Sequence, residues 1–183
     1  MKEKKPYVPT AEGLVEFMKK MKSVPHMYVW DGCGEYITQE WIDQLVRKYP
    51  DWYTPARTGV RRSLADRGLR GWDCFGVIKS YIWNDYHQGN KAYFTESVDY
   101  STKELFEAAE VKGPIEELPE RPGLVLWRPG HVGVYLGGGM VIECTCREHR
   151  LNDTGLIGGI VETKLEEYDW THWLECPEIK YEK

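Results

Sequence analysis

A chain of 183 residues, 42% of them hydrophobic, is long enough to bury one substantial core, so a single domain is the simplest expectation. A formal net charge of −5 argues against general nucleic-acid binding, and no apolar run is long enough to cross a membrane. The five cysteines are an odd number, which leaves at least one free thiol and argues against a disulfide framework.

The first part of the chain has helical signals. Residues 1–9 are predicted to form a flexible tail, and Thr10 is a candidate N-cap for a helix over 11–22. A second helix is predicted over 39–48, since it must stop before a proline. The segment 50–72 is rich in arginine and shows no apolar periodicity, so we expect it to be irregular.

The second part changes from helices to strands. A third helix is predicted to begin at Cys74 with Asp73 as its cap, and Ser101-Thr102-Lys103-Glu104 has the form of a capping box for a helix ending at Gly113. From Leu124 onward, alternating apolar residues and glycine turns predict strands. The order favours an α+β fold, with the Cys74 helix packed on an antiparallel sheet of five or six strands.

Cys74 is the candidate nucleophile. It stands in Gly71-Trp72-Asp73-Cys74-Phe75-Gly76, where a glycine-bounded loop turns into an apolar-periodic helix. The unpaired N–H groups at a helix start favour a thiolate, and a neighbouring imidazole can take the thiol proton. A single cysteine beside an apolar helix is more often a buried small side chain, so this interpretation needs a partner elsewhere in the chain.

The partner is found in a predicted hairpin over 131–145. If Gly137-Gly138-Gly139 is a three-residue turn, Val134 pairs with Ile142, and His131 shares the opposite face with Glu143. The two would be diagonal neighbours, and the carboxylate could accept the imidazole N–H and orient the ring. Cys74, His131 and Glu143 thus form a candidate nucleophile, base and orienting residue.

Two donors could stabilise the oxyanion of an acyl-transfer reaction. One is the backbone N–H of Cys74 at the helix start, and the other is the Tyr28 hydroxyl. The second depends on where the Tyr28-Val29-Trp30 segment lies relative to Cys74.

These motifs resemble the NlpC family of papain-like cysteine peptidases, which hydrolyse stem peptides of bacterial peptidoglycan. The resemblance is carried by Asp73-Cys74-Phe75-Gly76, by Gly130-His131-Val132-Gly133-Val134-Tyr135 and by Val141-Ile142-Glu143, with Tyr28-Val29-Trp30 similar to the family's upstream tyrosine segment. It implies a papain-like fold, a D-glutamyl endopeptidase activity, and catalytic roles for Cys74, His131, Glu143 and Tyr28. It implies no cofactor and no metal.

The chain departs from the family pattern in three places. The residue after the cysteine is usually serine and here is Phe75, and the third polar position is often histidine and here is Glu143. The interval from Tyr28 to Cys74 is long, so we treat 31–72 as an insertion within one domain over 10–183. The resemblance assigns this insertion no role.

Four further residues are candidate substrate contacts: Trp30, Asp73, Phe75 and Arg70. If the arginine-rich segment overhangs the cleft, its guanidinium groups could bind carboxylates of a stem peptide. The expected partner is therefore a peptidoglycan stem peptide, and the oligomeric state is open.

Other interpretations stay open. The same scaffold could be an N-acetylmuramoyl-L-alanine amidase, an acyltransferase, a deamidase or a toxin, or a binding module with an unused site. Cys144-Thr145-Cys146 with His149 could belong to a zinc site, although the usual Cys-x-x-Cys spacing is missing. His26, His87 and His172 have no visible partner and are expected to be structural or exposed.

The chain begins without a signal-peptide pattern, because Met1 to Pro6 lead into no apolar core. We therefore expect a protein made in the cytoplasm. Access to the cell wall would then need another route, such as release by a phage lysis protein.

Overall fold

The computed structural model describes residues 7–88, 93–147, 152 and 158–182. Within these ranges the helices α1 to α5 span Ala11–Lys22, Gln39–Lys48, Pro55–Leu64, Gly76–Ile82 and Thr102–Ala108. The strands β1 to β9 span His26–Tyr28, Cys33–Tyr36, Arg70–Trp72, Lys112–Pro114, Val125–Arg128, His131–Gly137, Met140–Thr145, Gly159–Lys164 and His172–Leu174. None of the helices described is long and apolar enough to cross a membrane.

The strands form two sheets. Strands β4 to β9 make a six-stranded antiparallel sheet in the order β4-β9-β5-β6-β7-β8. In the smaller sheet β3 is central, with β1 parallel to it and β2 antiparallel. Most of the helices precede the large sheet in the chain, which confirms the predicted α+β class.

The main core joins helices to the large sheet. Leu14 of α1 and Ile78 of α4 belong to the same buried cluster as Val132, Val134 and Ile142 of the hairpin. The helix that follows Cys74 therefore packs on the antiparallel sheet, as the sequence predicts for a papain-like domain. On the other face of that sheet, a second cluster includes Leu126, Tyr135, Val141, Tyr168 and Trp170.

Local capping signals explain the helices that were predicted correctly. The Thr10 hydroxyl accepts a hydrogen bond from the Gly13 N–H at 3.1 Å and begins α1. Ser101 and Glu104 form the predicted capping box of α5. However, α5 ends at Ala108 rather than near Gly113, because Lys112–Pro114 pairs with β9.

The segment 50–72 is more regular than predicted. It contains α3, Pro55–Leu64, and β3, Arg70–Trp72, which is the central strand of the small sheet. The residues that α3 buries are Thr58 and Arg61, so the helix lacks the apolar periodicity by which a helix is recognised in sequence.

The start of α4 and the end of the N-terminal tail also deserve comparison with the predicted boundaries. Helix α4 begins at Gly76, and Cys74 lies in the turn before it. Residues 1–6 of the predicted tail lie outside the described residues, whereas Tyr7 is attached to the domain through a hydrogen bond from its hydroxyl to the Tyr81 carbonyl at 2.6 Å.

The β6–β7 hairpin keeps the predicted faces with a different turn. Val134 pairs with Ile142 as expected, but Gly137 pairs with Met140, so the turn is Gly138-Gly139. A register shift between Tyr135 and Gly137 places an extra residue in β6. This bulge restores the parity that a two-residue turn would otherwise change.

Candidate active site

Cys74 lies on the wall of a cavity of about 380 Å³ and is 6% exposed. Tyr28, the last residue of β1, and Phe75 also line this cavity, and the Phe75 ring packs 5.8 Å from the ring of Tyr100, which lines the cavity too. Trp30 and Asp73 line it as well. The structure therefore brings together five of the predicted site residues around one opening.

Asp73 fixes the turn that carries Cys74. One carboxylate oxygen accepts hydrogen bonds from the N–H groups of Phe75 at 3.0 Å and Gly76 at 2.5 Å, and the other accepts from the Asp31 N–H at 3.0 Å. Burial raises the pKa of Asp73 to about 6, although the N–H groups of Gly76 and Asp31 oppose this rise. Asp73 is not the N-cap residue as predicted, since that position is Phe75, but its carboxylate does bind the N–H groups at the start of α4.

The environment of Cys74 differs from the predicted one. Burial, and next the charge of Asp73, raise the pKa of the Cys74 thiol well above its ordinary value. The N–H groups of Val132, Phe75 and Cys74 itself partly oppose this rise. The seven-residue α4 begins two residues after Cys74, so Cys74 is not at the helix start as predicted. The stabilisation of a thiolate that we expected there is smaller than the opposing effects of burial and of Asp73. A base must take the thiol proton.

His131 and Glu143 are brought together as the hairpin parity predicts. His131 Nε2 lies 2.6 Å from Glu143 Oε2, and the Glu143 side chain is completely buried. A carboxylate can only accept, so the ring carries a proton on Nε2 and Nδ1 is left to act as a base. The other carboxylate oxygen, Oε1, accepts a hydrogen bond from the Thr163 hydroxyl at 2.7 Å.

Two aromatic side chains pack against the His131 ring. The Trp170 ring is stacked on the His131 ring with centroids 5.5 Å apart and planes at 21°, and the centroid of the Tyr168 ring lies 6.4 Å from that of His131. Gly133 makes this possible, because a Cβ there would come within 3.0 Å of both Val141 and Trp170. Sequence reasoning did not assign roles to Trp170 or Thr163, since both come from distant strands or loops.

Cys74 and His131 lie at the same end of β6. Gly130, the residue before His131, lines the cavity with Cys74, and the N–H of Val132, the residue after it, acts on the thiol. The structure contains no hydrogen bond between the Cys74 thiol and the His131 ring. Bonds between nucleophile and base are often long before substrate binds, so this arrangement is compatible with catalysis.

Residues of the 31–72 insertion contact Tyr28 and fix its position. Arg61 of α3 donates from Nη2 to the Tyr28 carbonyl at 2.7 Å, and the Tyr28 ring packs 6.0 Å from Trp52. Trp30 is 38% exposed at the rim and stacks on Trp52 at 5.8 Å. Residues within 31–72 thus support two of the predicted site residues.

Arg70 does not reach the cavity. Its side chain is buried, its Nη2 lies 2.7 Å from Asp85 Oδ1, and its Nε donates to the Gly34 carbonyl at 2.8 Å. The guanidinium also packs on the Trp72 ring. Because these donors are used inside the protein, the structure contradicts the expected contact between Arg70 and substrate.

Cys144 and Cys146, the two cysteines of the possible zinc site, lie in different environments. Cys144 is buried and its thiol donates to the Trp72 carbonyl at 3.2 Å, whereas Cys146 is exposed. His149 lies outside the described residues. Among the residues that are described, no group of three or more histidine, cysteine or acidic side chains is arranged to hold a metal ion.

Replacing Asp73 by asparagine should make Cys74 more reactive. Asp73 is ionised above about pH 6, and its charge opposes formation of the thiolate. Asparagine retains an oxygen for the Phe75 and Gly76 N–H groups. We expect alkylation of Cys74 by iodoacetamide at pH 7 to be about threefold to tenfold faster, measured by peptide mapping.

Asp99→Asn is the matched control for that measurement. Asp99 lines the same cavity but is paired with Lys79 at 2.7 Å and is not among the groups that shift the pKa of Cys74. It should leave the alkylation rate of Cys74 unchanged. A slower rate in Asp73→Asn would contradict this account of the thiol.

Replacing Glu143 by glutamine should weaken catalysis without abolishing it. The amide oxygen can still accept from His131 Nε2, and the amide nitrogen can donate to the Thr163 hydroxyl. The imidazolium loses its neighbouring negative charge, so we expect kcat/KM to fall about 10²-fold. The measurement is the initial rate of the hydrolysis that we propose below, at several substrate concentrations.

Glu162→Gln provides the control on the adjacent strand. Glu162 is paired with Lys22 at 2.7 Å, away from His131, and its replacement should change the rate by less than about twofold. If Glu143→Gln retained full activity, the orienting role of the carboxylate would be wrong.

Comparison with solved structures gives a weak likeness. No protein-family model matches the chain, and no curated protein matches it in sequence. Among solved structures, the peptidoglycan hydrolase RipB from Mycobacterium tuberculosis is similar, with 18% identity and a TM-score of 0.41, over 93% of this chain and 67% of that one. A likeness at this level does not transfer function, so the proposals below rest on the residues of this chain.

Proposed function

We propose that this protein is a cysteine hydrolase that cleaves amide bonds in the stem peptides of bacterial peptidoglycan. The observation that carries the chemistry is the 2.6 Å contact between His131 and the buried Glu143, at the end of β6 where Cys74 lines a cavity. The substrate class is supported by the resemblance of the Cys74 and His131 motifs to those of the NlpC family.

The first step is attack by Cys74 on the substrate carbonyl carbon. His131 Nδ1 takes the thiol proton as the carbon–sulfur bond forms, and Glu143 stabilises the imidazolium through Nε2. Because burial and Asp73 raise the pKa of the Cys74 thiol, the attack requires His131 to take the thiol proton. The Cys74 N–H and the Tyr28 hydroxyl are the proposed donors to the oxyanion.

The second half of the reaction releases the acyl group. The imidazolium gives its proton to the leaving amine, and the carbon–nitrogen bond breaks to leave a thioester on Cys74. Water then attacks the thioester carbon and gives a proton to His131. As the carbon–sulfur bond breaks and the acid is released, the imidazolium returns that proton to the Cys74 sulfur and restores the thiol. The stacked Trp170 holds the imidazole ring in one orientation through both steps.

The bond that we propose is the one following D-glutamate in the stem peptide. Trp30, Asp73 and Phe75 are proposed to contact the peptide, since all three line the cavity with Cys74. The bulky Phe75, packed near Tyr100, narrows the cavity on one side.

Digestion of purified peptidoglycan, followed by mass spectrometry of the released fragments, tests this proposal. Dipeptides or fragments ending in D-glutamate are expected. Release of intact stem peptides would instead assign an N-acetylmuramoyl-L-alanine amidase. No release from several wall types would overturn the proposed substrate, and an acyltransferase, deamidase or toxin activity, or a binding role, would have to be tested in its place.

A further inference from the structure

A second cavity of about 300 Å³ lies beside the first. Tyr28 lines both cavities, and Trp52, which lines the second, stacks on Trp30 at the rim of the first. Arg57 and Arg61 of α3 form one wall of the second cavity, which contains no acidic side chain among its described lining residues. This cavity is therefore positively charged.

Arg61 is a buried cation without an acidic partner. Its side chain belongs to a residue that is only 6% exposed, and its Nη1 and Nη2 donate to the carbonyls of Arg57 and Tyr28. The Nε atom is buried and has no hydrogen-bond partner among the described residues. No ion pair joins Arg61 to a carboxylate within the described part of the chain, so its burial is costly unless an anion binds nearby.

Arg57 adds a second guanidinium to the same surface. The Arg57 and Arg61 guanidinium carbons each lie 4.8 Å from the Trp52 ring, and Arg57 Nη1 donates to the Trp52 carbonyl at 3.1 Å. Arg62 and Arg70 are used differently, since Arg62 is paired with Asp43 and Arg70 with Asp85. Arg57 and Arg61, by contrast, have no carboxylate partner among the residues that the structure describes.

We propose that the cavity lined by Trp52, Arg57 and Arg61 binds a carboxylate group, and that it is a subsite for a free carboxylate of the peptide attacked by Cys74. Arginine binds carboxylates through two parallel hydrogen bonds, and the Trp52 ring supplies an apolar floor for the adjoining carbon chain. The second part of this proposal rests on the proposed function, whereas the first does not.

Cys146 provides a direct probe, because it is exposed and lines this cavity. The full chain is alkylated with iodoacetate or iodoacetamide, and modification of Cys146 is followed by peptide mapping. Relative to N-acetylcysteine, Cys146 should prefer the carboxylate reagent by at least about fivefold. Arg57→Gln should remove most of this preference, and Arg62→Gln, in the same helix but paired with Asp43, should retain it.

The second arm of the experiment identifies the source of the carboxylate. A stem peptide with free carboxylates should slow the reaction of Cys146 with iodoacetamide, and the same peptide with carboxamides should not. A reagent preference without protection by the peptide would overturn the subsite but leave the carboxylate site. Equal reagent preference in the wild type and in Arg57→Gln would overturn both parts.

Failure of the proposed function has a separate signature. Cleavage is measured in parallel with the unmodified enzyme, in which Cys74 is the reacting group. Absence of cleavage together with the Arg57-dependent reagent preference would contradict the proposed hydrolase and support the carboxylate site.

Discussion

Replacing Cys74 by serine is expected to reduce stem-peptide hydrolysis by at least about 10⁴-fold, because Cys74 and His131 depend on each other for the first step and neither is effective alone. A serine hydroxyl in the same buried position is far harder to deprotonate than a thiol, and His131 cannot compensate for that difference. The measurement is product formation by mass spectrometry, with thermal unfolding followed in parallel to verify that the variant is folded.

Cys176→Ser makes the same chemical change away from the site. Cys176 is buried near the C-terminal end of the described chain, and its thiol donates to Glu178 at 3.5 Å, a contact that a hydroxyl can also make. The activity of this variant should stay within about twofold of wild type, because Cys176 is not among the residues proposed to take part in catalysis or substrate binding. Substantial turnover by Cys74→Ser would contradict the assignment of the nucleophile.

Replacing His131 by alanine is the second large effect that we expect. The variant loses the base for the Cys74 proton and the acid for the leaving amine, so kcat/KM should fall by about 10³-fold to 10⁴-fold. The loss should appear mainly in kcat, because His131 is not proposed to bind the substrate. Initial rates across substrate concentrations separate the two parameters.

His172→Ala is the matched control for His131→Ala. His172 lies on β9 and packs against Phe106 and Trp127, away from the Cys74 cavity. Its replacement should affect stability more than rate. A wild-type rate in His131→Ala would remove the proposed mechanism.

The parts of the fold that were predicted correctly depend on local signals. The Thr10 cap and the Ser101 to Glu104 capping box mark helix starts through hydrogen bonds within one turn. Helix α3 was not predicted because it has no side-chain cap and buries Thr58 and Arg61, even though Pro55 is a favourable first helical residue. Apolar periodicity cannot reveal a helix whose buried face is polar.

In the candidate site, too, the features set by local sequence patterns were predicted and those set by distant contacts were not. Strand parity places Glu143 beside His131 even though the predicted turn was wrong, because the bulge in β6 restores the alternation. Thr163 and Trp170 complete the surroundings of these residues from β8 and from the segment after it. Their positions depend on pairing between distant segments, which the sequence pattern does not specify.

For Arg70, the sequence predicted a contact with substrate that the structure does not contain. An arginine four residues before the nucleophile is a reasonable candidate for substrate binding, yet its partner Asp85 lies after α4 and draws the guanidinium into the core. Arg57 and Arg61, which the sequence did not distinguish from their neighbours, are the two that line a cavity.

The most direct measurement of the central claim is digestion of purified peptidoglycan in the presence of hydroxylamine, with mass spectrometry of the products. A thioester on Cys74 can be attacked by hydroxylamine in place of water, so the account predicts stem-peptide fragments ending in a hydroxamate at D-glutamate. Their share should rise with hydroxylamine concentration, and Cys74→Ser should release no fragments. Cleavage that yields only carboxylate products and persists in Cys74→Ser would contradict the account.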